Sequence, residues 1–376
     1  MTDVFIASDN IISPLGTTSS ENFAQLAAGR SAVSLQENEK LSPLPFYASL
    51  FNNDSYTSPA SACFTKFEQL LIESVKGALD TVAIKPADKD TILIISSTKG
   101  NISLLEDESV SPQLKSRIAL HTSAKMVAEH LGFINKPVVV SNACISGLLA
   151  LITGMRLLQS GQYKNAVITG ADVISKFVLS GFQSFQAISH APCKPFDEAR
   201  NGINLGEGAG TIILSSNRAY EKEISIRGGS VSNDANHISG PSRTGEELYA
   251  AIGKAMTDAR ISASEVDFIS AHGTATVYND AMEAKAITLA GMNSVPLNSL
   301  KGYYGHTLGA AGLIEAVISI HSLKSNIVLP THGFISQGSD NPLNVCKELL
   351  SGDLKNCLKT ASGFGGCNAA IVLGKN

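Results

Sequence analysis

The sequence predicts an α/β body made of two similar halves, and three features carry that prediction. Continuous apolar runs rich in Val and Ile recur at 91–95, 138–141, 166–170 and 209–214. Such runs are the pattern of strands buried on both faces of a parallel sheet. Longer segments with apolar residues at helical spacing stand between them, as at Phe67, Leu70, Leu71, Val75 and Leu79. From about residue 216 the alternation begins again and runs to the end of the chain, which argues for layered helices and strands.

The elements follow in order. Residues 4–7 form a short strand, and Ile11-Ile12-Ser13-Pro14-Leu15-Gly16 turns the chain. Ser20 then caps a helix over 21–29. Residues 36–60, rich in Ser, Pro and Asn, read as loop. A helix at 67–82 leads to the strand at 91–95, a loop at 109–112 and a helix at 119–131. The strand at 138–141 stops at the small-residue corner Asn142-Ala143-Cys144, and a helix follows through Leu158. Strands at 166–170 and 209–214 close the first half, residues 1–215. The second half, 216–376, reads as strand 224–231, helix 244–256, strand 266–270, helix 308–323 and closing strands 357–361 and 369–373. No Pro- or Gly-rich linker separates the halves at 210–225, so they share one body.

Bulk properties exclude several classes of function. At 376 residues, 44% hydrophobic and 16% charged, the chain can bury a large core. A net charge of −4 gives no footprint for nucleic acid. No apolar run is long enough to span a membrane, and the first residues lack the basic and apolar regions of a signal peptide. Zero Trp and 6% aromatics leave little for an aromatic binding platform. Six cysteines with no C-x-x-C pair suit neither zinc nor a disulfide framework, and no metal site is expected. They fit a reducing, cytoplasmic setting.

Cys144 is the first candidate for chemistry. At the amino end of a helix, free N–H groups and the macrodipole favour a thiolate. The ordinary role of such a cysteine is a small buried hydrophobe, so its partners decide. His272 ends a buried strand in Ala271-His272-Gly273-Thr274-Ala275-Thr276, and His306 lies in Gly305-His306-Thr307-Leu308-Gly309. A lone histidine there is usually structural. Two of them beside Gly and Thr, at strand-to-helix corners where α/β folds hold ligands, point to a shared site.

These blocks resemble the β-ketoacyl-[acyl carrier protein] synthases of the thiolase superfamily. The matching stretches are Asn142-Ala143-Cys144; Pro195-Phe196-Asp197 with Arg200, Gly202 and Gly206-Glu207-Gly208-Ala209-Gly210; and Asn233-Asp234-Ala235 with His237. They continue with His272-Gly273-Thr274 and Thr276, Asn279-Asp280 and Glu283; Lys301 with Gly305-His306-Thr307, Gly309 to Gly312 and Glu315; and Gly363-Phe364-Gly365-Gly366 with Asn368. The resemblance covers nearly the whole chain. It implies a thiolase-like fold, two βαβαβαββ halves packed as a five-layered αβαβα body.

The resemblance also implies an acyltransferase that transfers an acyl group from a carrier thioester to Cys144. The enzyme then condenses that group with malonyl-[acyl carrier protein], with loss of carbon dioxide. It implies that His272 and His306 donate hydrogen bonds to the thioester oxygen, and that the Cys144 and Phe364 N–H groups form an oxyanion hole. Lys301 and Glu315 resemble a buried ion pair, the expected state of a buried lysine. Thr274 and Thr276 match residues that bind the phosphopantetheine arm, or serve only as strand-end hydrogen bonders. Asp280, Glu283 and His237 match structural positions. Phe364, Ile145 and Ile203 are expected to shape the acyl tunnel. The implied partners are acyl carrier protein, acyl and malonyl thioesters, and a second subunit, identical or related, joined through the 138–141 strand. Apart from the carrier's arm, no cofactor is implied.

The chain departs from the family at Asn142, Ile145, Ile203, Ser362 and Cys367, and lacks a basic cluster near Phe64 to Phe67. These departures bear on chain preference and carrier partner, and incline the expectation toward a specialised polyene or polyketide pathway over housekeeping fatty acid synthesis. Three other functions compete. A thiolase-like enzyme would use Cys367 as a second catalytic cysteine. A chain-length-factor-like partner subunit would be expected to lose the cysteine kept here. A cysteine hydrolase would need an ordered Cys-His-Asx set that the chain does not offer.

Overall fold

The computed structural model describes residues 2–51, 63–221, 224–236, 238–338 and 340–376. His237 and the 52–60 part of the expected loop lie outside the described residues. Ten strands form one sheet: β1 (Phe5–Ile12), β2 (Thr91–Ser96), β3 (Val138–Val140), β4 (Asn165–Asp172), β5 (Gly208–Ser215), β6 (Ile224–Asn233), β7 (Phe268–Ser270), β8 (Leu297–Asn298), β9 (Asn356–Gly363) and β10 (Cys367–Lys375). Their spatial order is β8-β7-β9-β10-β6-β1-β5-β4-β2-β3. Counted outwards from the β6–β1 junction, both halves run first strand, fifth, fourth, second, third. Pairing sense repeats as well: β2 is parallel to β3 and β4, and β7 is parallel to β8 and β9. The fifth strands are antiparallel to both neighbours. Within the sheet, the two halves join at the pair Phe5↔Ser225.

The helices are α1 (Ser19–Ala27), α2 (Lys66–Leu79), α3 (Leu120–Leu131), α4 (Ser146–Gln159), α5 (Lys176–Ser184), α6 (Glu246–Ala259), α7 (Val277–Leu289) and α8 (Ala311–Ser325). α4 and α8 pack on each other, and each touches strands of both halves. α2 and α3 cover the outer face of the first half, and α6 with α7 beside it covers that of the second. This is the five-layered thiolase-like body. The main core lies along the central pair, with Leu148, Leu151, Met155, Leu313, Ile314 and Val317 all buried. Among the described residues no helix is long and apolar enough to cross a membrane.

Local chemistry moved some boundaries. Thr18, not Ser20, caps α1, because Thr18 and Glu21 satisfy each other's backbone N–H groups in a capping box. Pro112 begins a short helix, Pro112–Arg117, capped by Ser111, where the sequence suggested only loop. Ser34–Gln36 and Phe46–Ser49 pair as two short strands, and the second falls inside the stretch 36–60 expected as loop. α5 and α7 were not anticipated. α7 shows no apolar stripe because Asp280 and Glu283 are themselves buried in it.

α4 and α8 touch backbone to backbone at their first turns. A Cβ on Gly147 would lie 2.8 Å from the Leu313 nitrogen, and one on Gly312 would lie 2.9 Å from the Leu148 nitrogen. Gly147→Ala and Gly312→Ala should therefore each lower the free energy of unfolding by about 1–3 kcal/mol, the cost of overpacking. Gly253→Ala, in the middle of α6 with nothing near its added carbon, should raise it by up to about 1 kcal/mol. Urea unfolding of the three variants tests the contrast.

Candidate active site

Cys144 stands where β3 turns into α4. Ala143 takes φ 43°, a left-handed corner. Ser146 fixes it, accepting from the Asn142 N–H at 2.8 Å and donating to the Ala143 carbonyl at 2.6 Å. Gly363 of β9 comes so close that a Cβ there would lie 2.9 Å from the Cys144 nitrogen. The expected lowering of the thiol pKa does not hold. Burial pushes Cys144 up to about 12, with Cys367 and Asp172 acting in the same direction. Lys301 and the Phe364 N–H, which is directed at the sulfur, oppose it. In the resting pocket, removing the thiol from water outweighs the helix end.

His272 follows β7, and the His306 ring lies 5.4 Å from it, nearly perpendicular at 81°. Glu283 on α7 accepts from the His272 and Gly273 N–H groups, both at 2.8 Å. Lys301 donates to the His272 carbonyl at 2.6 Å and lies 3.3 Å from Nδ1. An ammonium can only donate, so Nδ1 accepts and the ring proton sits on Nε2. The His306 backbone is pinned by Asn204 at 2.7 Å, while neither of its ring nitrogens has a partner among the described residues. Burial, Lys301 and Lys359 hold both imidazoles well below the usual histidine range, and His306 does the same to His272. Both rings are neutral near pH 7.

Behind the histidines, Glu315 of α8 bridges two buried lysines. Its Oε1 is 2.7 Å from Lys301 and its Oε2 is 2.7 Å from Lys359 of β9. Burial alone would raise the Glu315 carboxyl, but the two ammonium groups outweigh it and hold it below its usual range. Lys301 and Glu315 are thus brought together as expected, whereas Lys359 was missed. Its signal was a cation inside the apolar run 357–361. Two further carboxylates organise the site: Asp280 in the structural role expected of it, and Asp172, which was missed. Asp280 accepts from the Phe196 N–H at 2.7 Å and the Thr274 N–H at 2.8 Å, and burial raises it to about 6. Asp172, at the end of β4, accepts from Gly309 N at 2.7 Å and Ser97 Oγ at 2.7 Å, tying the turn after His306 to the first half.

Cys144, His272 and His306 open into one cavity of about 470 Å³, also lined by Thr274, Thr276, Ile203, Ser362 and Phe364. The Thr274 and Thr276 hydroxyls bond each other at 2.8 Å. The Phe364 ring stacks on Phe182 at 5.6 Å and meets Phe185 edge-on at 5.3 Å. Ile145 requires a correction. Its side chain is buried in the main core and is absent from the cavity wall, because the left-handed turn at Ala143 sends it inward. Cys367 is not on the wall either. Its sulfur lies 3.4 Å from the Phe364 carbonyl oxygen, and burial raises its thiol to about 11. The second cysteine of a thiolase-like mechanism would have to face the substrate.

The raised thiol gives a direct test. Thiolate content rises tenfold per pH unit below the pKa, so iodoacetamide labelling of Cys144 in the free protein should keep rising through about pH 9–10 without a plateau. Peptide mass spectrometry separates it from the exposed Cys63. A plateau near neutral pH would show a low-pKa thiolate instead.

Comparison with known proteins follows the same lines. Residues 1–219 match the N-terminal domain of beta-ketoacyl synthases, and residues 224–334 match the C-terminal domain. The 3-oxoacyl-[acyl-carrier-protein] synthase 2 of Vibrio harveyi is 28% identical over 99% of this chain and 98% of its own length. The solved ishigamide ketosynthase/chain length factor superposes with a TM-score of 0.91 at 26% identity, covering 100% of this chain and 99% of that one. The ketosynthase ApeO in complex with its chain length factor ApeC, from Xenorhabdus doucetiae, gives 0.89 at 25% identity, covering 100% and 98%. With both domain models matched in sequence order over a thiolase-like body, the chain belongs to the β-ketoacyl synthase family of condensing acyltransferases.

Proposed function

We propose that Cys144 carries the acyl group and that His272 and His306 act on the malonyl thioester. One observation supports this above all: a nucleophilic sulfur and two neutral imidazoles converge on one cavity, and the His306 ring nitrogens have no partner among the described residues. In the first half-reaction the Cys144 sulfur bonds to the acyl carbon of the carrier-bound thioester, the carbon–sulfur bond to the carrier breaks, and the carrier arm leaves as a free thiol. The Cys144 and Phe364 N–H groups meet the oxygen as it becomes negative. Because burial pushes the resting thiol up to about 12, its proton leaves as the substrate arrives. His306, with a ring nitrogen unpartnered among the described residues, is the available acceptor that passes it to the departing carrier sulfur. In the second half-reaction malonyl loses carbon dioxide. The N–H at His272 Nε2 and one from His306 stabilise the enolate oxygen. The enolate carbon then bonds to the acyl carbon, the Cys144 carbon–sulfur bond breaks, and the lengthened chain leaves on its carrier.

The substrates reach the site on the phosphopantetheine arm of acyl carrier protein, with Thr274 and Thr276 at the cavity wall as its hydrogen bonders; no other cofactor is invoked. Phe364 gates the acyl end, and Ile203 and Ser362 shape it. The protein works as a dimer through β3, which is the last strand of the sheet and leaves one edge free. Two of the similar solved structures contain a chain length factor, which supports a related subunit as the partner and a specialised product. The retained Cys144 supports this chain as the catalytic member of the pair. Six free cysteines support a cytoplasmic setting.

Separate assays of the half-reactions test the roles. Cys144→Ala should form no acyl adduct. His272→Ala and His306→Ala should each slow malonyl decarboxylation by roughly 10²–10³ and leave Cys144 acylation less affected. Lost acylation with normal decarboxylation would put the histidines on the thiol instead. Light scattering at micromolar concentration should give a dimer, alone or with a co-expressed related subunit; an active monomer would rule out the β3 interface.

A further inference from the structure

Lys359 is fully buried on β9 and absent from the cavity wall. Its ammonium donates to the carbonyls of Ser270 and Ala271, both at 3.2 Å, and pairs with Glu315. Lys301 takes the next carbonyl, that of His272. Two ammonium groups that share one carboxylate thus hold three consecutive carbonyls, ending at a catalytic-site histidine. Strand side chains alternate between faces. Lys359 therefore faces α8 and Glu315, while Thr360 faces α7 and donates to Glu283 at 2.6 Å. The Glu283 oxygens are already engaged by Thr360, His272 N and Gly273 N, and Asp280 lies on that same helix. The charged and titratable groups around Lys359 are thus Glu315 and Lys301 on its own side, Cys357 on its strand, Glu283 and Asp280 across the sheet, and the two imidazoles ahead.

We propose that Lys359 is a positioning residue for condensation: it fixes the His272 strand end and leaves the α8 side of the site with two cations to one carboxylate. This rests on the enolate-stabilising roles proposed for His272 and His306. The surplus charge does two things. It keeps a second proton off both rings, so that His272 Nδ1 stays free to accept from Lys301 and Nε2 stays the donor. It also supplies a field at the two imidazoles that favours negative charge on the enolate oxygen they hold, whereas the lysine acting on Cys144 is Lys301. Both imidazoles are lowered by Lys359 as well as by Lys301, in line with the geometry.

The test uses full-length protein carrying ¹³Cε1-labelled histidine, with resonances assigned by His272→Asn and His306→Asn. In the unaltered protein neither ring should titrate between about pH 5 and 8. In Lys359→Met, at least one should titrate inside that window. Malonyl decarboxylation should fall roughly tenfold, equivalent to one pKa unit of electrostatic support, while acylation of Cys144 stays within about twofold. Rings that titrate near the ordinary histidine pKa in the unaltered protein would overturn the proposal without any variant, and so guard against a Lys359→Met that fails to fold. Unchanged ring titration and decarboxylation in Lys359→Met would also overturn it. If His272→Ala and His306→Ala themselves leave decarboxylation unchanged, the assigned histidine roles fail first. If they slow it and Lys359→Met does not, only the role of Lys359 fails.

Discussion

The arrangement depends on the contact between the first turns of α4 and α8. Gly147 and Gly312 have no side chains, so the two helices approach at backbone distance. α4 begins two residues after Cys144, and α8 begins five residues after His306. Closing that contact therefore sets the sulfur of one half against the imidazole of the other. Asp172 reinforces it by accepting from Gly309, between His306 and α8. A larger residue at either glycine would separate the helices and, with them, the reacting groups.

Dryness follows from the same packing. The central helices are covered on each side by one half of the sheet, so charged groups near them lose water and need protein partners. Glu315 survives as a carboxylate because two lysines hold it, and each lysine has backbone carbonyls for its remaining protons. Removing Glu315 would leave two uncompensated buried cations, which is costlier than the intact cluster. Burial also explains why the thiol rests protonated and the imidazoles rest neutral. The helix end beside Cys144 is real, but its field is small against the loss of solvation.

Much of this was legible in the sequence. The buried strands declared themselves as unbroken Val/Ile runs, and the repeat of elements past residue 216 emerges as a repeated strand order. Cys144, His272, His306, Lys301 and Glu315 were marked by small residues and ordered blocks, and they converge. Asp280 and Glu283 hold the structural positions expected of them, whereas Lys359 and Asp172 were harder to see. Each forms bonds to partners far away in the chain, and no local spacing encodes those bonds. α7 was invisible for a related reason: its buried face is polar, so the usual apolar stripe is missing. Ile145 was misplaced because standing next to Cys144 in the chain does not fix a side chain's direction beside the left-handed corner at Ala143.

The repeated strand order has a consequence for synthesis. In each half the first strand pairs with the fifth: Phe5 lies beside Ser215, and Ile224 beside Lys375. On the ribosome, β1 must wait for about two hundred residues before its neighbour exists, and β6 must wait for residues 367–375. Such long loops make closure slow, and until then each growing half exposes an unpaired edge and one side of a central helix. Residues 367–375 are thus the strand that locks the second half, so a ribosome that stalled before them would release an open sheet.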